Sequence, residues 1–192
     1  MVQGRSSHPV HRLQQRPRPD VYQVRGQPPV VDFIRQGNRD PKVLWHEPTQ
    51  QWCMVLFLGE GELAFFTSND LKEWKEQSRI EGFHECPELF ELPVDGDPNN
   101  MKWVLYGALG DYFIGDFSGK EFTPETEIIK FSHARNFYAS QTFNGIPKAD
   151  GRRVQIGWAR YTDTPGMPFN QMMNRSGPLI LDSGLSVSPC VY

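Results

Sequence analysis

The sequence predicts an all-β chain built from repeated units of about four strands each, the pattern of a β-propeller, and three observations predict it. From Pro28 onward, short runs rich in aromatic and β-branched residues alternate with turn chemistry such as Glu60-Gly61, Asp95-Gly96-Asp97-Pro98, Ser118-Gly119 and Asp150-Gly151. A strand-turn-strand pattern opening on polar residues then recurs along the chain. Its starts, at 39, 85 and 136, are 46 and then 51 residues apart, close to the repeat length of a four-stranded blade, which is roughly 40–50 residues.

The segments follow in order. Residues 1–25 hold five arginines (Arg5, Arg12, Arg16, Arg18, Arg25), repeated prolines and one acid, Asp20, without hydrophobic periodicity, so no independent fold is expected there. A basic arm for an anionic partner is the functional alternative for that segment. The first unit runs from Arg39-Asp40-Pro41-Lys42-Val43-Leu44-Trp45 through a turn to Trp52-Cys53-Met54-Val55-Leu56-Phe57. The second pairs Glu85-Cys86-Pro87-Glu88-Leu89-Phe90 with Lys102-Trp103-Val104-Leu105-Tyr106, and the third pairs Asn136-Phe137-Tyr138-Ala139-Ser140-Gln141 with Arg153-Val154-Gln155-Ile156-Gly157-Trp158. Two blades and the opening of a third therefore fit between residues 26 and 173, and residues 174–192 read as an atypical tail.

Propeller geometry says where function lies. The first strand of each blade lines the central channel, so Asp40, Glu85 and Tyr138, each within three residues of a repeat start, are expected to converge on one cavity. Pro41 and Pro87 bias the residues before them toward extended backbone, which suits a strand beginning at a channel mouth. Trp52, Phe57, Phe65, Phe66, Trp103 and Tyr106 are expected to be packing between blades.

Bulk properties exclude several classes. A net charge of −3 and a pI near 6.0 give no electrostatic reason for nucleic acid or an anionic membrane as partner. Cys53, Cys86 and Cys190 are odd in number and far apart, so neither a disulfide framework nor a zinc site is indicated. No cofactor is indicated either. No apolar run approaches a membrane span, and the N-terminus lacks the apolar core of a secretion signal.

At the repeat starts the motifs become specific. Arg39-Asp40-Pro41 and Glu85-Cys86-Pro87, with Ser68-Asn69-Asp70-Leu71-Lys72-Glu73-Trp74 between them and Asn136-Phe137-Tyr138-Ala139-Ser140-Gln141, Ile156-Gly157-Trp158 and Thr164-Pro165-Gly166-Met167-Pro168 after them, resemble the signature motifs of glycoside hydrolase family 32, the invertases, levanases and inulinases. That resemblance implies an incomplete five-bladed β-propeller and a retaining mechanism on terminal β-D-fructofuranosyl residues of sucrose, levan or inulin. Such chemistry uses two carboxyl groups about 5–5.5 Å apart. By the resemblance Glu85 is the general acid/base, needing a raised pKa, and Asp40 the transition-state stabiliser that holds the sugar ring. Arg39 orients both through charge-assisted hydrogen bonds.

Cys86 either contacts the sugar or, because neighbours on a regular strand face opposite ways, fills the core. Tyr138 and Trp158 either line the sugar pocket or pack. His84 beside Glu85 and Cys86 raises a thiol or metal reading, but no third ligand is spaced to join them.

The sequence also departs from the family. The nucleophile, an aspartate in Asn-Asp-Pro-Asn-Gly upstream of Arg-Asp-Pro, has no counterpart before Arg39; Asp97-Pro98-Asn99-Asn100 is a decoy expected in an outer polar turn between Leu92 and Trp103. Ser132-His133-Ala134 replaces the Asp-x-Gly of relatives. The expectation is a reading frame cut from a longer enzyme, poorly soluble and inactive alone. A non-catalytic module binding a fructose-containing carbohydrate or a protein partner is the alternative. Compartment is unreadable from these residues, although fructan-degrading relatives are exported, and oligomeric state is unreadable too.

Overall fold

A computed structural model describes residues 31, 34, 37–130, 137–147, 149–160, 164–169 and 171–189. The segment 1–25, the motif residues 132–134 and 136, and Cys190 lie outside the described residues. Almost every regular element is a strand. The first unit is β1 (Arg39–His46), β2 (Gln51–Gly59), β3 (Glu62–Ser68) and β4 (Lys75–Glu81), an antiparallel sheet in that order. The second is β5 (Glu88–Val94), β6 (Asp97–Tyr106), β7 (Asp111–Phe117) and β8 (Phe122–Pro124), with β9 (Ile129–Lys130) also on β7. The third contributes β10 (Tyr138–Thr142), β11 (Val154–Trp158) and β12 (Met173–Leu181), with β13 (Val187–Pro189) hairpinned onto β12. Two four-stranded blades and a third, incomplete one make a partial β-propeller, and residues 173–189 belong to its sheets.

Alternation explains the packing. In β2, Cys53, Val55 and Phe57 point to one face and join Leu63, Phe65, Phe83, Leu89, Leu105 and Phe117 in the core between the first two blades. Met54, Leu56 and Leu58 point the other way, packing with Ala64, Phe66, Trp74, Val31 and Ile34. A strand buried on both faces reads as a continuous apolar run, which is why residues 53–58 show no polar interruption. Between the second and third blades, Phe90, Leu92, Val104, Tyr106, Tyr112 and Ile114 meet Leu179, Leu181 and Val187. A parallel contact of Leu181 with Val94 joins the two sheets, and Asp95 N donates to Leu181 O at 2.8 Å.

Phe57, Phe65, Phe66 and Tyr106 are buried as expected, whereas Trp52 and Trp103 are half-buried. The decoy lies elsewhere than expected. The turn is Asp95-Gly96 alone, with φ of 50° and 78°, a two-residue hairpin. Asp97 to Asn100 already form the exposed start of β6.

Candidate active site

Each blade begins with the same local distortion. Asp40, Cys86 and Ala139 all have left-handed backbone, φ 59°, 50° and 48°, at corresponding positions of the three units. The ladder register shifts between Arg39 and Lys42 in β1 and between Tyr138 and Gln141 in β10, as a β-bulge requires. This corrects the expectation of extended backbone before Pro41 and Pro87. A left-handed residue before proline carries a steric penalty, and here a hydrogen bond between the first two units helps offset it: Cys86 N donates to Asp40 Oδ2 at 3.1 Å. Glu85 and Cys86 form a bend ahead of β5, outside any ladder, so the strand rule that sends neighbouring side chains to opposite faces does not apply and both reach the same hollow.

The three units therefore meet at one place. Arg39 Nη2 and Nε donate to Glu85 Oε2 at 2.7 and 3.2 Å, and Nε lies 3.5 Å from Asp40 Oδ2. The Tyr138 phenol donates to Glu85 Oε1, with His84 Nε2 3.6 Å from the same oxygen. Cys86 Sγ donates to Asp40 Oδ2 at 3.5 Å. Arg39 is itself anchored, Nη1 on Gly37 O at 2.9 Å and its guanidinium 4.5 Å over the Phe57 ring. Backbone bonds lock the floor, because Ala108 N donates to Glu85 O at 2.9 Å while Ala108 O accepts from Ala139 N at 3.1 Å.

Tyr138 pairs with Trp158 across β10 and β11, their rings edge to face at 6.0 Å, and Arg160 lies 4.3 Å over the tyrosine ring. The buried Trp158 Nε1 has no acceptor among the described residues. Both aromatic candidates thus stand at the site rather than in a blade core.

Electrostatics contradict one expectation. The Tyr138 hydroxyl first, and Arg39 second, hold the Glu85 carboxyl below its ordinary range, whereas an acid catalyst needs it raised. The reason is the donor set, since Glu85 faces hydrogen-bond donors here and not a second carboxylate. Burial, then the charge of Asp40, pushes the Cys86 thiol up to about 12. Cys86 is therefore a neutral donor to Asp40, unsuited to act as nucleophile. Burial and then Glu85 push the Tyr138 phenol up to about 12 as well. Among the described residues no group of three or more His, Cys, Asp or Glu side chains could hold a metal ion.

Directly beneath lies a feature that motif reading missed. Lys42 Nζ stands 2.5 Å from Glu88 Oε1 with both side chains buried, Glu88 Oε2 accepts from Thr142 N at 2.8 Å, and Lys42 Nζ reaches Thr142 O at 3.4 Å. One buried ion pair thus ties the inner strands of all three blades. The available signal was positional: Lys42 and Glu88 each sit three residues past their unit's start, with opposite charges inside apolar runs. Arg160 was also missed and has no comparable sequence signal.

Above the site an open cleft of about 610 Å3 is bordered by Gly37, Arg39, Phe57, Gly61 and His84. Around Glu85, the described carboxylate in the hydrogen-bonded cluster is Asp40; Asp97 is exposed on β6, away from it.

Comparison with known proteins agrees with the fold. Residues 17–177 match the model of the glycosyl hydrolases family 32 N-terminal domain. A levanase of Bacillus subtilis is 37% identical over 153 residues, covering 69% of this chain and 22% of the levanase. An extracellular exo-inulinase of Meyerozyma guilliermondii is 38% identical over 148 residues, covering 68% of this chain and 28% of the relative. Among solved structures, a β-fructofuranosidase from Schwanniomyces occidentalis complexed with fructosyl-erythritol superposes with a TM-score of 0.72 at 28% identity, over 85% of this chain and 37% of the other. An exo-inulinase from Aspergillus awamori gives 0.68 at 30%, over 80% and 35%. The chain thus spans between about a fifth and two fifths of the length of these relatives.

Proposed function

Because the chain belongs to glycosyl hydrolases family 32, we propose that it carries part of the site of a retaining glycosidase that removes terminal β-D-fructofuranosyl residues from sucrose, levan or inulin. The observation that carries this reading is the convergence of Asp40 and Glu85, from two different blades, on the one guanidinium of Arg39. Asp40, with one oxygen fixed by Cys86, keeps its other for sugar hydroxyls and so holds the ring. Glu85 stands beside it to exchange a proton with the glycosidic oxygen. Tyr138 and Trp158 offer aromatic surface to the C–H face of the sugar. The cleft over Phe57 and His84 accepts the remainder of the substrate.

The hydrogen bonds from Tyr138 and Arg39 favour the ionised form of Glu85, the form that accepts a proton rather than the one that donates it. Reloading the proton needs Tyr138 or Arg39 to withdraw, or a further carboxylate to approach. No acid converges with Asp40 and Glu85 in the position of a nucleophile among the described residues. The second reading is a non-catalytic module that binds a fructose-containing carbohydrate or a protein partner through the same site. Export is the companion proposal, since one relative is named an extracellular exo-inulinase; no helix among the described residues is long and apolar enough to cross a membrane.

The test is calorimetric titration of the chain with a fructo-oligosaccharide beside a sugar-release assay. Loss of at least one binding event in Asp40→Asn and in Glu85→Gln, with no fructose released, supports the reading for this chain. Binding indifferent to both substitutions would overturn it.

A further inference from the structure

At the opposite end of the inner strands lies a second cleft, about 320 Å3 in volume, lined by Trp45, Trp52, Glu91, Trp103, Asn144 and Arg153. Its position follows from the repeat. Trp45, Glu91 and Asn144 each stand six residues beyond the residue their own unit sends to the active site, namely Arg39, Glu85 and Tyr138. Six residues of strand span on the order of 20 Å, and the buried Lys42–Glu88 pair fills the gap between the two ends. The two clefts are separate.

The lining has the composition of a ligand site. Trp45 is 40% exposed and meets Trp52 edge to face at 5.3 Å. Glu91 and Arg153 are both half-buried, yet among the described residues neither side chain has a hydrogen-bonding partner and the two form no ion pair. The Arg153 guanidinium rests 5.6 Å over the Phe90 ring. Partial burial raises the Glu91 carboxyl and lowers the Arg153 guanidinium from their ordinary pKa values, against the smaller opposing influence of each group's charge on the other, so both have lost part of their water and neither has gained a hydrogen bond from a described residue. Half-buried donors and acceptors that face an open cleft with no protein hydrogen bond are available to a ligand that can satisfy them.

The occupant's chemistry follows from what the walls offer. An anion would meet Glu91 and a cation would meet Arg153. A neutral polyol meets neither objection, because one hydroxyl donates to the carboxylate while its neighbour accepts from the guanidinium. The indole surfaces match the C–H face of a sugar ring, and the volume falls in the range of small-ligand sites, roughly 300–1,000 Å3. We propose that this cleft is a second carbohydrate-binding site, taking one ring of a neutral sugar independently of the active cleft.

The test is a titration of the full chain with sucrose and with glucose, followed by tryptophan fluorescence, since three indoles line this cleft. The expected result is a saturable change that survives in Glu85→Gln and weakens roughly tenfold or more in Arg153→Met. Circular dichroism checks that each variant keeps its strands. Should Arg153→Met unfold, Glu91→Gln replaces it, and the same weakening is expected. No saturable change up to about 100 mM sugar, or one unaltered in a folded Arg153→Met or Glu91→Gln chain, overturns the proposal. A change abolished by Glu85→Gln and untouched by Arg153→Met also overturns it while leaving the active-site reading standing.

Discussion

Arg39 and Glu85, 46 residues apart and on different blades, form a two-point charge-assisted contact, with Nη2 and Nε at 2.7 and 3.2 Å from one carboxylate oxygen. Together with the Tyr138 hydroxyl this contact sets the protonation of the acid. Arg39→Met is expected to raise the Glu85 pKa, and Tyr138→Phe to raise it as well, both read from carboxyl chemical shifts in a pH titration. The sign for stability follows. A folded-state pKa below the unfolded value, about 4.5 for Glu, means a contribution present above that value and lost as pH falls through the folded pKa. Because Arg39 is 42% exposed, that contribution is a few tenths to about 1 kcal/mol. An unmoved titration in both variants would contradict this account.

The buried Lys42–Glu88 pair makes a second, larger prediction. Lys42→Met alone strands Glu88, whose side chain is 0% exposed, and is expected to cost about 3–5 kcal/mol of unfolding free energy in urea. Lys42→Met with Glu88→Leu removes both charges and should be markedly less harmful than either change alone. Additive losses in the double variant would show that the pair acts through packing only.

These two sites mark how far the sequence could be read. Blade number, channel-lining strands and the meeting of Asp40, Glu85 and Tyr138 followed from periodicity and motif, because repeat position fixes which residues face the axis. The bulges did not. Left-handed backbone at Asp40, Cys86 and Ala139 runs against local preference in each tripeptide and is fixed by hydrogen bonds between blades. The protonation of Glu85 was misjudged for the same reason, since Tyr138 and Arg39 reach it only in three dimensions. Lys42 and Glu88 were legible in principle by their shared offset, but charged residues on a strand read as exposed until both are found buried at the axis.

His46 predicts a pH dependence near neutrality. Its ring is buried at 3% exposure, packs against Trp103 and Phe117, and pairs Nδ1 with Thr49 Oγ1 at 2.8 Å. Burial lowers its pKa from the ordinary 6.5. The unfolded chain therefore takes up a proton first as pH falls, and stability declines from about pH 6.5 downward until the folded pKa is reached. Denaturation midpoints measured between pH 8 and 5 should fall in the native chain. They should be flatter over this window in His46→Gln, and equal slopes would refute the assignment.

Cysteine alkylation gives a chemical readout of the site. Burial pushes the Cys53 thiol up to about 11, and burial with Asp40 pushes Cys86 up to about 12. Since only the thiolate reacts, iodoacetamide at pH 8 should label both slowly in the native chain and quickly in urea, as followed by peptide mass spectrometry. Asp40→Asn removes the neighbouring negative charge and should accelerate Cys86 selectively. Rapid native labelling of Cys86 would mean that its thiol does not face Asp40.

Gly157 links packing to the aromatic wall of the site. A Cβ built there would lie 2.7 Å from the Phe137 ring, with two further ring atoms at 2.8 and 2.9 Å, closer than any real contact. Phe137 is 8% exposed and directly precedes Tyr138, so the ring has little room to withdraw without carrying the tyrosine with it. Gly157→Ala is accordingly expected to cost about 1–3 kcal/mol through overpacking and to loosen the Tyr138–Glu85 hydrogen bond, raising the Glu85 pKa although position 157 touches neither residue's polar atoms. Denaturation gives the first effect and the carboxyl titration the second. A destabilised variant with an unchanged Glu85 titration would show that Phe137 yields on its own, and that Tyr138 is held by Trp158 and Arg160 rather than by its chain neighbour.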